Sequence, residues 1–246
     1  MEDDHRSIVN LLIDQIEFAN VILLNKSDLV SKEHLGILKS ALHKLNPSAR
    51  IIESSYSKID VSEILNTGLF NFEQAEQSAG WLEELNKEDH TPETEEYGIS
   101  SFVYRSRKPF NPKRLWNYIK NQFPKNVIRS KGLFWMASRP KQALIWSQAG
   151  GSSATDSAGV WWSSMSFEKR TQNQSFIENK EEIETGWDPN FGDRKNELVF
   201  IGQDMDQNLI TQKLNNCLCT QEELDNGDWE KGFEDEWPVQ KAYVLD

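Results

Sequence analysis

Hydrophobic positions follow one grammar in the first third of this chain and another in the second half. Between residues 6 and 19, Ile8, Leu11, Leu12 and Ile16 fall on one stripe, which predicts an amphipathic helix. Asn20-Val21-Ile22-Leu23-Leu24 is a short unbroken apolar run ending in a polar cluster, the pattern of a strand buried on both faces of a parallel sheet. Ser31 stands where an N-cap belongs, ahead of Leu35, Leu38, Leu42 and Leu45 at helical spacing. Asn46-Pro47 stops that helix, because a residue before proline is pushed out of the helical region. Residues 50–55 read as a second strand. Asp60 with Glu63 three positions on resembles a capping box that opens one more short helix. Helix, strand, helix, strand, helix is the order found at the end of an α/β sheet.

From 73 to 97 the composition turns acidic and polar, with Pro92 and Gly98 near its end, which marks an inter-domain linker. Trp81, Leu82 and Leu85 predict a short docked helix within it. Beyond it, residues 99–105 alternate as a strand. Pro109 and Pro112 bracket the entry to a helix over 112–123 that carries Leu115, Trp116, Ile119 and Phe123 on one stripe and ends at Pro124. Residues 127–137 and 142–149 read as a strand pair, Gly150-Gly151-Ser152-Ser153 as a turn, and Val160-Trp161-Trp162 as the start of another strand. Residues 168–196 form a long polar excursion. A clear strand follows at 197–202, then a closing helix marked by Leu209, Ile210, Leu214, Cys217 and Leu218. The fold class is therefore α/β followed by α+β, the second part having helices on one face of a mainly antiparallel sheet. The implied division is 1–72, a linker over 73–97, a domain over 98–220, and a tail over 221–246.

Charge refines this division. The net charge is −12, but residues 73–96 hold nine acids against one lysine and residues 221–246 hold nine against two, so the remainder is close to neutral. The acidity is expected to sit in a solvated linker and tail, outside the folded cores. No basic face is implied, which argues against nucleic-acid binding. No apolar run approaches the length needed to span a bilayer, and the acidic start is unlike a secretory signal. With only Cys217 and Cys219, one residue apart, there is no disulfide framework, and a cytoplasmic protein is expected.

The candidate chemistry lies at Asn25-Lys26-Ser27-Asp28, directly after the first apolar run. An Asp carboxylate can accept hydrogen bonds from the ring N–H and exocyclic amine of guanine, a donor pair that adenine lacks. The stem of Lys26 can cover one face of the base while its ammonium stays in water. The Asn25 amide can tie this loop to a phosphate loop. Ligands of open α/β sheets bind at the carboxyl ends of strands, where these residues fall. Ser54 and Ser55 follow the next strand, where a backbone N–H can meet the guanine carbonyl, though ordinary loop serines describe them equally well. Gly-Xaa4-Gly-Lys-Ser/Thr is absent from the sequence, so nothing in it cradles phosphates, and no catalytic residue is assigned.

The run from Phe18 to Val30 resembles the guanine-recognition segment of CobW-family GTPases, and Leu45-Asn46-Pro47-Ser48-Ala49 resembles the "LNPxA" stretch that follows it there. Gly98 to Arg105, Arg107-Lys108-Pro109-Phe110, Arg129-Ser130-Lys131-Gly132, the Gln148-Ala149-Gly150 turn and residues 193–202 are similar to the family's C-terminal domain. The resemblance implies the C-terminal part of a P-loop GTPase domain joined to a CobW C-terminal domain, in a GTP-driven chaperone that delivers zinc to a metal-requiring client protein. GTP is the implied cofactor, met here only through guanine contacts at Asn25, Lys26, Asp28, Ser54 and Ser55. The phosphate loop, the Mg²⁺ segment and the Cys-Xaa-Cys-Cys zinc ligands would lie upstream of Met1, so no metal ligand is assigned in this chain. A fragment of a longer protein is expected over a truncated homologue, because the Val21–Leu24 run calls for parallel neighbours on both sides.

Other residues have plainer readings. Cys217-Xaa-Cys219 fits core packing better than a metal, and the four histidines form no ligand spacing. Arg129, Lys131 and Arg194 face either the GTPase part, nucleotide or client, or else the acidic linker. Trp161, Trp162, Trp187, Trp229 and Trp237 default to packing, with a partner-facing surface as the alternative. The competing functions are a non-catalytic partner-binding module and a cobalt- or cobalamin-linked relative. Homo-oligomer formation stays open.

Overall fold

A computed structural model describes residues 8–70, 82, 85, 96–226 and 231–239. Helix α1 (Ile8–Phe18) leads into strand β1 (Val21–Leu24), then α2 (Lys32–Leu45) and β2 (Arg50–Glu53), and β1 pairs parallel with β2. Five further strands form one antiparallel sheet in the order β3-β7-β4-β5-β6. They are β3 (Ile99–Ser106), β4 (Val127–Phe134), β5 (Gln142–Ala149), β6 (Ser152–Val160) and β7 (Asn196–Gln203). Helices α3 (Pro112–Gln122) and α7 (Gln207–Cys217) flank it. Between β6 and β7 lie three short helices, α4 (Phe167–Thr171), α5 (Gln174–Glu178) and α6 (Lys180–Thr185), and α8 (Gln221–Asp225) follows α7.

The five-stranded sheet is covered on both faces. Phe102, Tyr104, Leu198 and Phe200 pack with Leu115, Tyr118, Ile210 and Leu214 of α3 and α7. The alternate positions Val103, Val199 and Ile201 turn the other way, onto Leu45 of α2 and Ile13 and Ile16 of α1. The period of two along β3 and β7 thus builds two cores, one within the second half of the chain and one joining it to the first. Leu82 and Leu85 are helical and half-buried, and Leu85 packs on this second core, while Trp81 lies outside the described residues.

The joint is polar at its centre. Arg129 of β4 has no exposed side-chain surface. Its Nε donates to Glu17 Oε1 at 2.8 Å, and its Nη2 donates to Glu17 Oε2 at 3.2 Å and Asp14 Oδ1 at 3.3 Å. A β-bulge aims it there. Val127 pairs with Gly202, whereas Arg129 pairs with Ile201, so the extra residue Ile128 turns Arg129 away from the face that Val127 occupies. Lys131 shares the α1 side, and burial lowers its pKa, opposed by Glu17. Gly132 sits at φ 150°, and a Cβ there would collide with the Glu197 carbonyl oxygen across the ladder. On the opposite face, Ser130 accepts from Trp146 Nε1 and donates to Gln148 Oε1.

Several sequence expectations need correction. The buried stripe of α1 is Ile13, Ile16 and Glu17, not one running through Leu12, which is exposed, because α1 docks by its acidic side onto Arg129. β1 is half-buried along its length, with β2 its only paired neighbour among the described residues, so the both-face burial read from Val21–Leu24 is not met. Val61–Glu63 is a single 3-10 turn. Asp60 caps it through Ser62, and Glu63 pairs with Arg50 instead of closing a capping box. Val160 ends a strand instead of starting one, with Trp161 just beyond it: β6 is the polar run Ser152–Val160, an edge strand whose exposed side hides the usual apolar alternation. The tail is not merely solvated. Trp237 lies in the main core beside Trp116 and Phe134, Arg139 forks onto Asp235, and Glu223 pairs with Arg114.

Replacing Arg129 alone leaves Glu17 buried without its main partner. Arg129→Met should cost about 3–5 kcal/mol in urea unfolding, and Arg129→Met with Glu17→Leu should recover most of it. Glu223 gives a separate acid signature. The Arg114 hydrogen bonds hold its carboxyl at about 2. Its contribution is present above the ordinary carboxylate range and is lost as pH falls through the folded value. The stability gap between wild type and Glu223→Gln at pH 6 should therefore close as pH approaches 2.

Candidate functional site

The Asn25–Asp28 loop leaves the carboxyl end of β1. Lys26 takes a left-handed conformation (φ 62°), which turns the chain into a 3-10 turn over Ser27–Leu29. Two sets of bonds hold the loop to the segment after β2. Ser54 N donates to Leu24 O at 2.9 Å, continuing the strand pairing by one step. Ser27 N and Ser27 Oγ both donate to Ser54 O, at 3.1 and 2.9 Å, and Ser27 Oγ lies 3.4 Å from Ser55 Oγ. The third residue of the motif is thus the hinge between the two loops.

Asn25 supplies the second set. Its Nδ2 donates to Ser57 Oγ at 3.0 Å and its Oδ1 accepts from Ser57 N at 2.9 Å. The Asn25 amide thus clamps the Ser54–Ser57 segment. That segment needs a clamp. Tyr56 and Ser57 both sit at left-handed φ, 55° and 56°, and Lys58 N closes the turn onto Ser55 O at 3.1 Å. Two successive left-handed non-glycine residues are strained, and strain of this kind persists only where neighbours over-determine it.

The structure brings Asn25, Ser54 and Ser55 together around Ser27. Lys26 and Asp28 stand apart from this network. Both are exposed, and their side chains make no hydrogen bond or ion pair among the described residues. The arrangement is a braced loop presenting an open carboxylate. Ser57 was missed by the sequence reading; its only signal was a position three residues beyond Ser54, with no motif to flag it.

The remaining candidates are structural. Arg194 donates to the Pro140 and Phe191 carbonyls and lies over the Trp135 ring, within the second half of the chain. Asp193 accepts from the Trp162 and Ser163 amides, and buried Asn196 bridges Trp135 N and Lys108 O. Arg129 meets the first part, through Glu17. Cys217 and Cys219 are buried thiols whose pKa burial pushes up to about 11 and about 12. Among the described residues no group of three or more His, Cys, Asp or Glu could hold a metal ion. No helix among the described residues is long and apolar enough to cross a membrane.

Residues 99–218 match the family model described as cobalamin synthesis protein cobW C-terminal domain, and residues 1–53 match the CobW/HypB/UreG nucleotide-binding domain. Zinc-regulated GTPase metalloprotein activator 1 of Dictyostelium discoideum is 45% identical over 226 residues, 91% of this chain and 46% of that protein. A zinc chaperone of Mycobacterium tuberculosis is 23% identical, over 90% of this chain and 52% of its own length. The chain thus spans about half the length of these curated relatives. Zinc-bound YjiA GTPase from E. coli is 18% identical with a TM-score of 0.42, covering 84% of this chain and 54% of that one.

The strained turn makes a direct prediction. Tyr56 is 82% exposed. A left-handed conformation costs an L-residue about 1–2 kcal/mol, against about 0.5–1 kcal/mol of extra chain entropy for glycine. Tyr56→Gly should therefore raise stability by about 0.5–1 kcal/mol in urea unfolding, by the difference of those terms. Asn25→Ala should instead speed amide hydrogen exchange at Ser57.

Proposed function

The chain belongs to the CobW family, and on that premise we propose that it is the C-terminal portion of a GTP-dependent chaperone that delivers zinc to metal-requiring client proteins. Its first part, residues 1–72, is the guanine-recognition end of a GTPase domain, followed by a linker over 73–97 and the CobW C-terminal domain from 98. Residues 231–239 belong with that domain, given the place of Trp237 and Asp235 in its core.

The observation that carries the reading is the contrast within the motif. Asn25 and Ser27 are fully engaged in bracing the loop, while the Asp28 carboxylate is left open at the carboxyl end of a parallel strand. A carboxylate held in that way accepts two donors from a guanine edge, and Lys26 covers the base. Ser55 offers its backbone N–H toward the guanine carbonyl from the facing loop. Zinc is cargo on this account. Among the described residues no group of three or more His, Cys, Asp or Glu could hold it.

Fluorescent GDP binding tests the proposal. Weak binding is expected, because nothing in this sequence holds the phosphates. It should disappear in Asp28→Ala and shift toward xanthosine diphosphate in Asp28→Asn, whose amide offers a donor to the 2-oxo group. Equal binding of ADP, or tight Mg²⁺-dependent GDP binding with turnover by this chain alone, would contradict it.

A further inference from the structure

The loops after β1 and β2 are stitched together at two rungs. Asn25 bonds Ser57 through both ends of its amide, at 3.0 and 2.9 Å, and Ser27 Oγ lies 3.4 Å from Ser55 Oγ. Between these rungs stand Lys26 on one loop and Tyr56 on the other. Both take a left-handed φ, 62° and 55°, and both are exposed. At 82%, Tyr56 is the most exposed large hydrophobic side chain among the described residues. Neither side chain makes a hydrogen bond, ion pair or ring contact among those residues. Packing therefore gives no reason for a tyrosine at position 56. Glycine would hold the same backbone without strain, and a polar residue would leave less apolar surface in water. Strain kept without a structural return marks a functional constraint.

We propose that Tyr56 is the second jaw of a base clamp, its ring stacked on one face of a purine base while the stem of Lys26 covers the other. The proposal rests on the guanine reading of Asn25–Asp28 and adds to it the contact that supplies affinity. The two jaws have different work from Asp28. Asp28 meets the edge of the base, where guanine and adenine differ, whereas a ring meets the π-face, which every base has. The rungs on either side fix the spacing of Lys26 and Tyr56 before a ligand arrives, so little ordering is left to be done on binding. An apolar side chain of a partner protein would also cover the Tyr56 ring, but it would have no use for the opposed lysine or for the open carboxylate two residues beyond it.

The test is a proton NMR titration of the full chain with GDP. A base stacked on a phenol ring is shielded, so the H8 resonance of bound GDP should move upfield. Tyr56→Phe should keep that shift and the affinity. Tyr56→Gly should lose the shift and weaken binding about tenfold, while its urea midpoint rises, which separates loss of the stack from loss of the fold. In an Asp28→Asn background, Tyr56→Gly should weaken xanthosine diphosphate by the same factor, because the ring meets the face and not the edge. GDP binding that depends on Asp28 but keeps its affinity and H8 position in Tyr56→Gly would overturn the stack and leave the guanine site standing. Equal weakening by Tyr56→Phe would do the same, since the hydroxyl and not the ring would then be the contact. GDP binding indifferent to Asp28→Ala, or no binding at millimolar GDP, would overturn the guanine reading and the stack with it.

Discussion

Arg129 is the constraint on which the arrangement of this protein turns. A guanidinium with no exposed surface can persist only if its donors are met, and Glu17 and Asp14 of α1 meet them together with Ser147 Oγ and the Gln148 carbonyl of β5. Those acids come from the first part of the chain and Arg129 from the fourth strand, so the pair fixes α1 on the sheet in one register. Apolar packing of Ile13 and Ile16 on Val199 and Ile201 supplies area, but a greasy face alone tolerates sliding. The ion pair does not. Because α1 runs directly into β1 and the base loop, the position of that loop relative to the large sheet descends from this contact.

Much of this was legible in the sequence, and the legible parts share a cause. The helices capped by Ser31 and Asn111 announce themselves by an apolar stripe, and the strands at 99–106 and 196–203 by apolar positions that pack on both faces of the sheet. Where those conditions fail, the reading fails. β6 is an edge strand of small polar residues, with no alternation to read. The stripe of α1 was misplaced because its buried face includes a glutamate, which pattern reading assigns to solvent. The packed tail was misjudged because nine acids outweighed one Trp237. Asn25 and Asp28 were found from spacing, yet their division of labour, one bracing and one open, depends on Ser57 and appears only in three dimensions.

The family-like motifs of the second half turn out to be mostly architecture. In Arg129-Ser130-Lys131-Gly132, the arginine joins the halves, the serine satisfies Trp146 and Gln148, and the glycine lets two strands approach where a Cβ has no room. In Asp193-Arg194-Lys195-Asn196, three of the four residues tie loops to the sheet end. Such residues identify a fold. The short loop after β1, by contrast, carries in Lys26 and Asp28 exposed side chains with no hydrogen bond or ion pair among the described residues, and there chemistry has room to occur.

Asn46 shows how chemical durability can be written into a joint. Its Nδ2 donates to the Ile16 and Ala19 carbonyls at the end of α1 at 2.8 and 2.9 Å, and its Oδ1 accepts from Ala49 N, all from a fully buried site. An aspartate here would lose both donated bonds and bury a charge. Asparagine ages into aspartate when the next backbone nitrogen attacks the side-chain amide, a ring closure that requires an N–H. The next residue is Pro47, which has none. The proline that ends α2 thus also shields the pin beside it from the slow hydrolysis that would unmake it, so the joint should keep its chemistry over the lifetime of the protein.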